Sequence, residues 1–193
     1  MCNVYEQHVS RADYARAIAA LELAAGDDAA LVPADDIRIG DPGPVLRAAG
    51  NGVELVSMRF GFPPPRPKAG PIFNFKSDGR SFADSRRCVV VLSGFFEFTG
   101  SKYPKTKHRF ALKASAVMGI AGLWSEDKDG ALSFTMLTTE PGPDIAPVHD
   151  RQVCVLKPED WAAWLFLTKP EAELLRPLPA GTFVVEVVRE GKE

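Results

Sequence analysis

The sequence predicts an α+β fold, a single domain over residues 1–193 with a mainly antiparallel, barrel-like β-sheet and flanking helices. Short runs rich in β-branched and aromatic residues follow one another at hairpin spacing through the chain, and helix-forming segments lie mainly toward its two ends. No internal repeat or low-complexity linker divides the 193 residues, and this length suits one domain with a substantial core.

The first predicted element is a helix over residues 10–25. Ser10 can act as its N-cap, and the segment ARAIAALELAA is rich in strong helix formers. Residues 27–43 are polar and turn-rich, and residues 53–58 predict a strand. The proline cluster at 63–65 cannot continue a helix or a central strand, so a loop or an extended edge follows.

The middle of the chain predicts a series of strands with turns between several of them. These strands cover residues 88–92, 95–98, 109–113, 117–124 and 132–138. Near the end of the chain, Pro158 begins a short helix with two acids in its first turn, and Lys169-Pro170-Glu171 begins another. Residues 182–188 predict a last strand.

Composition excludes several classes of protein. With 46% hydrophobic residues, 25% charged residues and a mean hydropathy of -0.06, the chain is neither disordered nor membrane-embedded in character. We expect no secretory signal and a cytoplasmic location. The number of cysteines is three, an odd number in a chain without a signal, which predicts free thiols in a reducing compartment. Their wide separation argues against a metal site, and we expect no cofactor.

Charge argues against nucleic-acid binding by bulk electrostatics alone. The formal net charge is -2 and the pI is about 6.0. Lysines and arginines do cluster locally, so a basic groove stays possible, although most such clusters are solvated surface.

Cys2 is the most informative residue. If Met1 is removed, the cysteine carries its thiol and a free α-amine on one carbon skeleton. Such an aminothiol can form an imine with an aldehyde and then close a thiazolidine ring. The α-amine has a reference pKa of about 7.7–8.0, against ~10.4 for lysine, so much more of it is nucleophilic at neutral pH. The alternative is an accidental cysteine at a frayed terminus.

Three other polar residues stand in apolar surroundings. Asn74 lies within Ile-Phe-Asn-Phe, and Glu97 lies between phenylalanines, where desolvation would raise its pKa and suit it to acid–base chemistry. His149 lies in a predicted loop before a helix and could carry a proton at neutral pH. Each also has an ordinary structural explanation: a turn amide, an outward-facing acid or a capping histidine.

Several motifs together resemble the SOS response-associated peptidase family, whose members shield abasic sites in single-stranded DNA. The resemblance covers most of the chain, and the order of its motifs is more specific than any one of them. The motifs are Met1-Cys2, Arg59-Phe60-Gly61-Phe62-Pro63, Phe73-Asn74-Phe75-Lys76, the run from Arg87 to Phe98, the run from Phe134 to Thr139, Pro147-Val148-His149-Asp150-Arg151 and Pro158-Glu159-Asp160-Trp161.

The resemblance implies catalytic roles for four residues. Cys2, freed by self-removal of Met1, would attack the ring-opened aldehyde of an abasic deoxyribose. Asn74 would hold the N-terminal residue, Glu97 would hydrogen-bond or deprotonate the α-amine, and His149 would protonate the sugar ring oxygen. The resemblance also implies the fold of the family and a monomer whose partner is single-stranded DNA with abasic sites. Such a protein would be associated with the nucleoid when DNA is damaged.

The resemblance also implies a set of DNA contacts. Thr138 and Arg151 match positions that contact the DNA backbone, and Lys76 stands where the family usually has arginine. Phe60 replaces a tryptophan and could still stack on a base, and Arg59 precedes it.

The chain departs from the family pattern in ways that predict weaker or altered DNA contact. Asn3 and Val4 replace the usual Gly-Arg, Phe98 replaces a tryptophan, and the segment between Asn74 and Cys88 is shorter than usual. Two alternatives therefore stay open. One is an N-terminal-nucleophile peptidase or amidase with Cys2 as thiolate and His149 as base. The other is a nucleic-acid-binding module without chemistry.

Overall fold

The computed structural model describes residues 2–21, 23–26 and 31–192, with residues 23–26 described by their backbone. Their strands are β1 Val4–Gln7, β2 Leu23–Gly26, β3 Ala34–Arg38, β4 Pro42–Ala49, β5 Gly52–Phe60, β6 Asn74–Lys76, β7 Arg87–Leu92, β8 Gly94–Thr99, β9 Thr106–Leu112, β10 Met118–Glu126, β11 Leu132–Thr139, β12 Gln152–Val153, β13 Val155–Leu156 and β14 Phe183–Arg189. The helices are α1 Arg11–Ala17, α2 Trp161–Phe166 and α3 Glu171–Leu174, and a 3-10 turn over Pro158–Asp160 precedes α2.

The strands form two sheets. The smaller sheet has the order β14-β9-β8-β1-β3, and its pairs are antiparallel. The larger sheet has the order β12-β11-β10-β7-β4-β5-β2, with β6 and β13 attached at its sides. A short parallel pairing between β11 and β5 brings the ends of this sheet together, so the predicted barrel-like sheet is a ring-like arrangement and not a closed barrel.

Alternation along the strands divides the core into two clusters. On β7, Cys88, Val90 and Leu92 face a cluster between the two sheets, whereas Val89 and Val91 face a second cluster. Residues of α1, α2 and α3 belong to the second cluster, so the helices cover the outer face of the large sheet. Because both faces of β7 are buried, its sequence is a continuous apolar run.

The N-terminal helix is shorter than predicted. Ser10 does cap it, since its side chain accepts a hydrogen bond from the Asp13 backbone N–H at 3.1 Å, but α1 ends at Ala17. Residues 23–26 form β2, which pairs in parallel with β5. Here the pairing partner outweighs the helix propensity of alanine and leucine.

The segment predicted as polar turns also contains strands. Residues 27–30 lie outside the described residues, but β3 and β4 follow them. β4 lies between β5 and β7 in the large sheet. It begins with Pro42-Gly43-Pro44, residues typical of turns, so the sequence did not predict a strand there.

Most other sequence predictions are confirmed. The strands predicted in the middle of the chain, the two C-terminal helices and the last strand are present with shifts of one to a few residues at their ends. Cys88, Cys154, Trp161 and Trp164 are buried, as expected of core residues. Trp124 is half-buried between the guanidinium groups of Arg47 and Arg86. None of the helices in the described residues is long and apolar enough to span a membrane.

Candidate active site

Cys2 lies two residues before the start of β1 and is fully buried. The Asn74 side-chain amide donates a hydrogen bond from Nδ2 to the Cys2 backbone carbonyl at 2.8 Å. Asn74 is the first residue of β6, and its position is set by the parallel pairing of Asn74 with Met136 on β11. Its Oδ1 atom is buried and has no hydrogen-bond partner among the described residues. The amide therefore holds the backbone of Cys2 and keeps one acceptor available.

Glu97 reaches the same place through the pairing of β1 with β8. Tyr5 pairs with Phe95 in antiparallel register, and continuing this register places residue 97 opposite residue 3, next to Cys2. Glu97 is only 1% exposed. Burial raises its pKa from 4.5 to about 7, and the nearby Asp150 carboxylate acts in the same direction. Near neutral pH this carboxyl group is thus able both to accept and to donate a proton.

His149 lies in the loop that follows β11, where its backbone N–H donates to the Ile145 carbonyl at 2.9 Å. Its Nε2 atom is 3.9 Å from Oε2 of Glu97. On the other side of the ring, Nδ1 accepts the Arg151 backbone N–H at 3.0 Å and lies 2.9 Å from an Asp150 carboxylate oxygen. The Arg151 contact favours a neutral ring with its proton on Nε2, which faces Glu97, whereas the Asp150 carboxylate favours a proton on Nδ1.

Burial controls the charges at this site. It raises the pKa of the Cys2 thiol well above its usual range, and the Glu97 carboxylate adds to that shift. It also lowers the pKa of His149, an effect that Asp150 opposes. At neutral pH the thiol and the imidazole are therefore uncharged. The thiol donates a hydrogen bond to the Val4 carbonyl at 3.3 Å.

Arg151 links this site to a second group of residues. Its guanidinium donates to the Thr138 carbonyl at 3.0 Å, to the Thr138 hydroxyl at 3.3 Å and to the Asp78 carboxylate at 2.5 Å. Lys76, the last residue of β6, is exposed and lies two residues before Asp78 in the sequence. Thr138 is only 1% exposed, so in this structure it supports Arg151 and does not itself offer a surface to DNA.

Phe60 does not occupy the position predicted for it. Its side chain is fully buried, stacked on Phe134 with 5.1 Å between ring centroids and packed edge-on against Tyr5 and Phe73. A ring held in this way cannot stack on a base, so we correct this assignment. Arg59, the preceding residue on β5, is exposed.

The sequence reasoning missed two acids that contact the predicted residues. Asp150 contacts the His149 ring, and Asp78 engages the Arg151 guanidinium, which holds the pKa of Asp78 below its usual range. Asp150 directly follows His149 in the sequence, so its proximity was a usable signal. The pairing of Asp78 with Arg151 depends on the fold, and no sequence pattern indicates it. Within the described parts of the chain, no group of three histidine, cysteine or acidic side chains is placed to hold a metal ion.

The fold and the site together define a class of protein: two packed sheets that hold a cysteine at position 2 beside a buried acid, a histidine and an asparagine. The profile of the SOS response associated peptidase (SRAP) family matches residues 1–190, and the chain belongs to this family.

Relatives with curated names include an abasic site processing protein of Saccharomyces cerevisiae, which is 32% identical over 89 residues, covering 45% of this chain and 24% of the yeast protein. The abasic site processing protein YoqW of Bacillus subtilis is 28% identical over 146 residues, covering 67% of this chain and 65% of YoqW. The chain therefore spans less than two thirds of the length of these relatives.

Solved structures support the fold. A protein from Bordetella bronchiseptica has a TM-score of 0.73 at 24% identity, with 97% of this chain and 100% of that chain covered. A phage-related protein from the same organism has a TM-score of 0.72 at 23% identity, with 98% and 95% covered. The predicted family fold is thus confirmed.

Proposed function

We propose that this protein processes abasic sites in single-stranded DNA by forming a covalent thiazolidine with Cys2. The observation that carries the proposal is the hydrogen bond from Asn74 to the Cys2 carbonyl, because it holds the aminothiol backbone beside Glu97 and His149. The two relatives described above are named as abasic site processing proteins, and the proposal extends that activity to this chain.

The proposed chemistry begins with the removal of Met1 by hydrolysis of its peptide bond, which leaves the α-amine of Cys2 free. The sugar of an abasic site exists largely as a closed ring. When the ring opens, the anomeric hydroxyl loses a proton and the ring oxygen gains one, and in this proposal the neutral His149 imidazole takes up the first proton and delivers it to the ring oxygen, which speeds formation of the open aldehyde. The neutral α-amine then adds to the aldehyde carbon, and loss of one water molecule gives an imine.

Ring closure follows when the Cys2 sulfur bonds to the imine carbon and the thiol proton passes to the nitrogen. The net reaction joins the aminothiol and the aldehyde with release of one water. Because burial keeps the thiol protonated, the amine is the first nucleophile and the sulfur is the second. Glu97, with a pKa of about 7, accepts the proton that the α-amine loses.

DNA binding in this proposal depends on local cations, since the net charge of the chain is -2. Arg151 and Lys76 contact the backbone around the abasic nucleotide, and Arg59 adds charge further along. Thr138 positions Arg151 through its carbonyl and hydroxyl. All four catalytic groups come from one chain, so we propose that a monomer acts at damaged, nucleoid-associated DNA in the cytoplasm.

The test is an adduct assay on a single-stranded oligonucleotide with one abasic site. Wild-type protein is expected to form a band that survives SDS, and Cys2→Ala is expected to form none. Cys154→Ala, which removes another buried thiol, is the matched control and should retain the adduct, with circular dichroism verifying the fold of each variant. Equal adduct yield from wild type and Cys2→Ala would contradict the proposal.

A second candidate function is peptide hydrolysis by Cys2 as an N-terminal nucleophile, favoured by the family description and by a histidine close to the site. Removal of Met1 would then be the first of many cleavages. Multiple turnover of an external peptide would favour this alternative, whereas cleavage limited to Met1 would leave the abasic-site proposal in place. Intact mass of the native protein reports whether Met1 is removed.

A further inference from the structure

The loop that carries His149 is a hydrogen-bonded turn over residues 142–149, which we call the His149 turn. Within it, the Ile145 backbone N–H donates to the Gly142 carbonyl at 3.0 Å, and the His149 backbone N–H donates to the Ile145 carbonyl at 2.9 Å. These bonds connect the first residues of the turn to the last one. A displacement of the first residues is therefore passed on to the imidazole of His149.

Asp144 fastens the His149 turn to the segment that leads into β14. One of its carboxylate oxygens accepts the Gly181 backbone N–H at 2.8 Å, and the other accepts the Phe183 backbone N–H at 3.0 Å. Gly181 has a φ of 77°, and a left-handed residue of this kind lets neighbouring N–H groups converge on one anion. Partial burial would raise the pKa of Asp144, but the backbone N–H groups outweigh it and hold the pKa below its usual range. At neutral pH the backbone therefore holds this carboxylate as an anion.

The residues that bind Asp144 pack against the strand that carries Glu97. The Phe183 ring is buried and lies edge-on to the Phe95 ring, with 6.0 Å between the ring centroids. Phe95 precedes Glu97 by two residues on β8, so their side chains point to the same face of the small sheet. Asp144 thus links the His149 turn to the strand that presents Glu97. The 3.9 Å between Nε2 of His149 and Oε2 of Glu97 is measured across this link.

Two other contacts hold the His149 turn in place without Asp144. The Ile145 side chain is fully buried in the core, and the Gly142 backbone N–H donates to the Gln152 side-chain oxygen at 2.6 Å. Because both contacts remain when the Asp144 carboxylate is removed, we expect the turn to stay folded. The loss of the carboxylate should then change where the turn places His149 and leave the rest of the domain intact.

We propose that Asp144 is a positioning residue, which holds the His149 imidazole where it can transfer the proton that opens the abasic sugar. The inference rests on the proposed function, in which His149 speeds formation of the open aldehyde. Asp144 touches no reacting atom and acts through the turn. A displacement of about 1 Å at a catalytic group is enough to lower a rate substantially, so loss of this anchor has a measurable effect.

The test compares two substrates in single-turnover adduct assays. The first is a single-stranded oligonucleotide with one abasic site, and the second carries an acyclic aldehyde that cannot close into a ring. Asp144→Ala is expected to lower the rate about tenfold on the first and to keep the wild-type rate on the second, because only the first requires ring opening. Asp127→Ala is the matched control. Asp127 also accepts two backbone N–H groups, each at 2.9 Å, but in an exposed turn after β10, so both rates should stay at the wild-type value.

A double variant tests whether Asp144 acts through His149. His149→Ala should slow the reaction of the abasic site more than Asp144→Ala does, and the double variant should be no slower than His149→Ala alone. Asp144→Asn keeps one acceptor oxygen, so its rate should fall between those of wild type and Asp144→Ala. If circular dichroism shows that Asp144→Ala does not fold, Asp144→Asn provides the same comparisons.

NMR of the histidine ring protons gives a measurement that needs no adduct. Asp144→Ala should shift the His149 signals, which are assigned with the His149→Ala protein, and Asp127→Ala should leave them unchanged. Unchanged His149 signals in Asp144→Ala would overturn the inference, whether or not wild-type protein forms an adduct.

The kinetic outcomes separate the inference from the proposed function. The inference also fails if Asp144→Ala reacts with the abasic site at the wild-type rate, if it loses as much rate on the acyclic aldehyde, or if it slows the His149→Ala protein further. In the last two cases Asp144 supports the fold and not the position of His149. Absence of any adduct with wild-type protein would instead count against the thiazolidine chemistry.

Discussion

Glu97 shows at the scale of one residue how the fold changes chemistry. The carboxyl group is surrounded by aromatic residues in the sequence, and the structure buries it between the sheets next to Cys2 and His149. Burial raises its pKa to about 7, so this carboxyl group titrates close to neutral pH. An exposed glutamate would be fully ionised there and would be a weaker base.

The rate of adduct formation is expected to depend on pH through Glu97. As pH rises through about 7, the carboxylate form becomes dominant and the single-turnover rate should rise. Deprotonation of the Cys2 α-amine, with a reference pKa of about 7.7–8.0, adds a second rise. Glu97→Gln should remove the first rise, keep the second and lower the rate by about 10²-fold or more. Rates measured between pH 5.5 and 9 test this, and a Gln variant with the wild-type profile would remove Glu97 from the mechanism.

At the scale of elements, the packing of α2 onto β10 depends on a glycine. A Cβ at Gly119 would lie 2.3 Å from Cγ1 of Val89 and 2.5 Å from Nε1 of Trp161. The backbone there cannot shift freely, since Gly119 pairs with Val91 on one side and with Leu156 on the other. The absence of a side chain therefore lets the Trp161 ring lie directly on the sheet.

Gly119→Ala is expected to lower the free energy of unfolding by about 1–3 kcal/mol through overpacking. Urea denaturation monitored by tryptophan fluorescence measures the change. Gly70→Ala is the matched control, because a Cβ there meets nothing within 4 Å and its backbone is not in the left-handed region. If Gly119→Ala and Gly70→Ala unfold at the same urea concentration, the close packing of Trp161 on β10 is not a source of stability.

Local sequence patterns correctly predicted those strands whose apolar side chains reveal a buried position in a sheet. The apolar runs of β7 and β10 are strands because both faces of each are buried, and the sequence shows this directly. β2 and β4 were missed because their conformation comes from pairing with β5, a distant partner that no local pattern reveals. Tertiary pairing outweighs propensity in both cases.

The candidate active site, like the fold, was only partly predictable from the sequence. Asn74, Glu97 and His149 stand out because polar groups in apolar surroundings require a reason, and the structure brings them together around Cys2. Phe60 was misassigned because a buried and an exposed aromatic residue look alike in sequence. The Asp78–Arg151 contact joins residues 73 positions apart, so only the fold reveals it.

Across the whole molecule, the candidate active site lies where the two sheets meet and is largely buried. The chemistry of the proposed function therefore takes place among buried side chains. The buried site has a cost in stability, because the free energy of unfolding depends on the ionisation of every buried group.

Glu97 is expected to make the stability of the whole chain fall as pH rises from about 4.5 to about 7. Its folded pKa lies above its ordinary value of 4.5, so the folded state binds the proton more tightly than the unfolded state. The stabilisation is complete below pH 4.5 and is lost as pH rises through about 7. The difference between the two pKa values corresponds to about 3 kcal/mol.

Urea denaturation at pH 5 and pH 8 should show this decrease in wild type and a smaller one in Glu97→Gln, which stays neutral at both pH values. Glu126→Gln, at an exposed site, should keep the wild-type decrease. If Glu97→Gln and Glu126→Gln respond alike to pH, Glu97 is ionised normally in the folded protein, and both its raised pKa and its proposed role as the base near neutral pH are wrong.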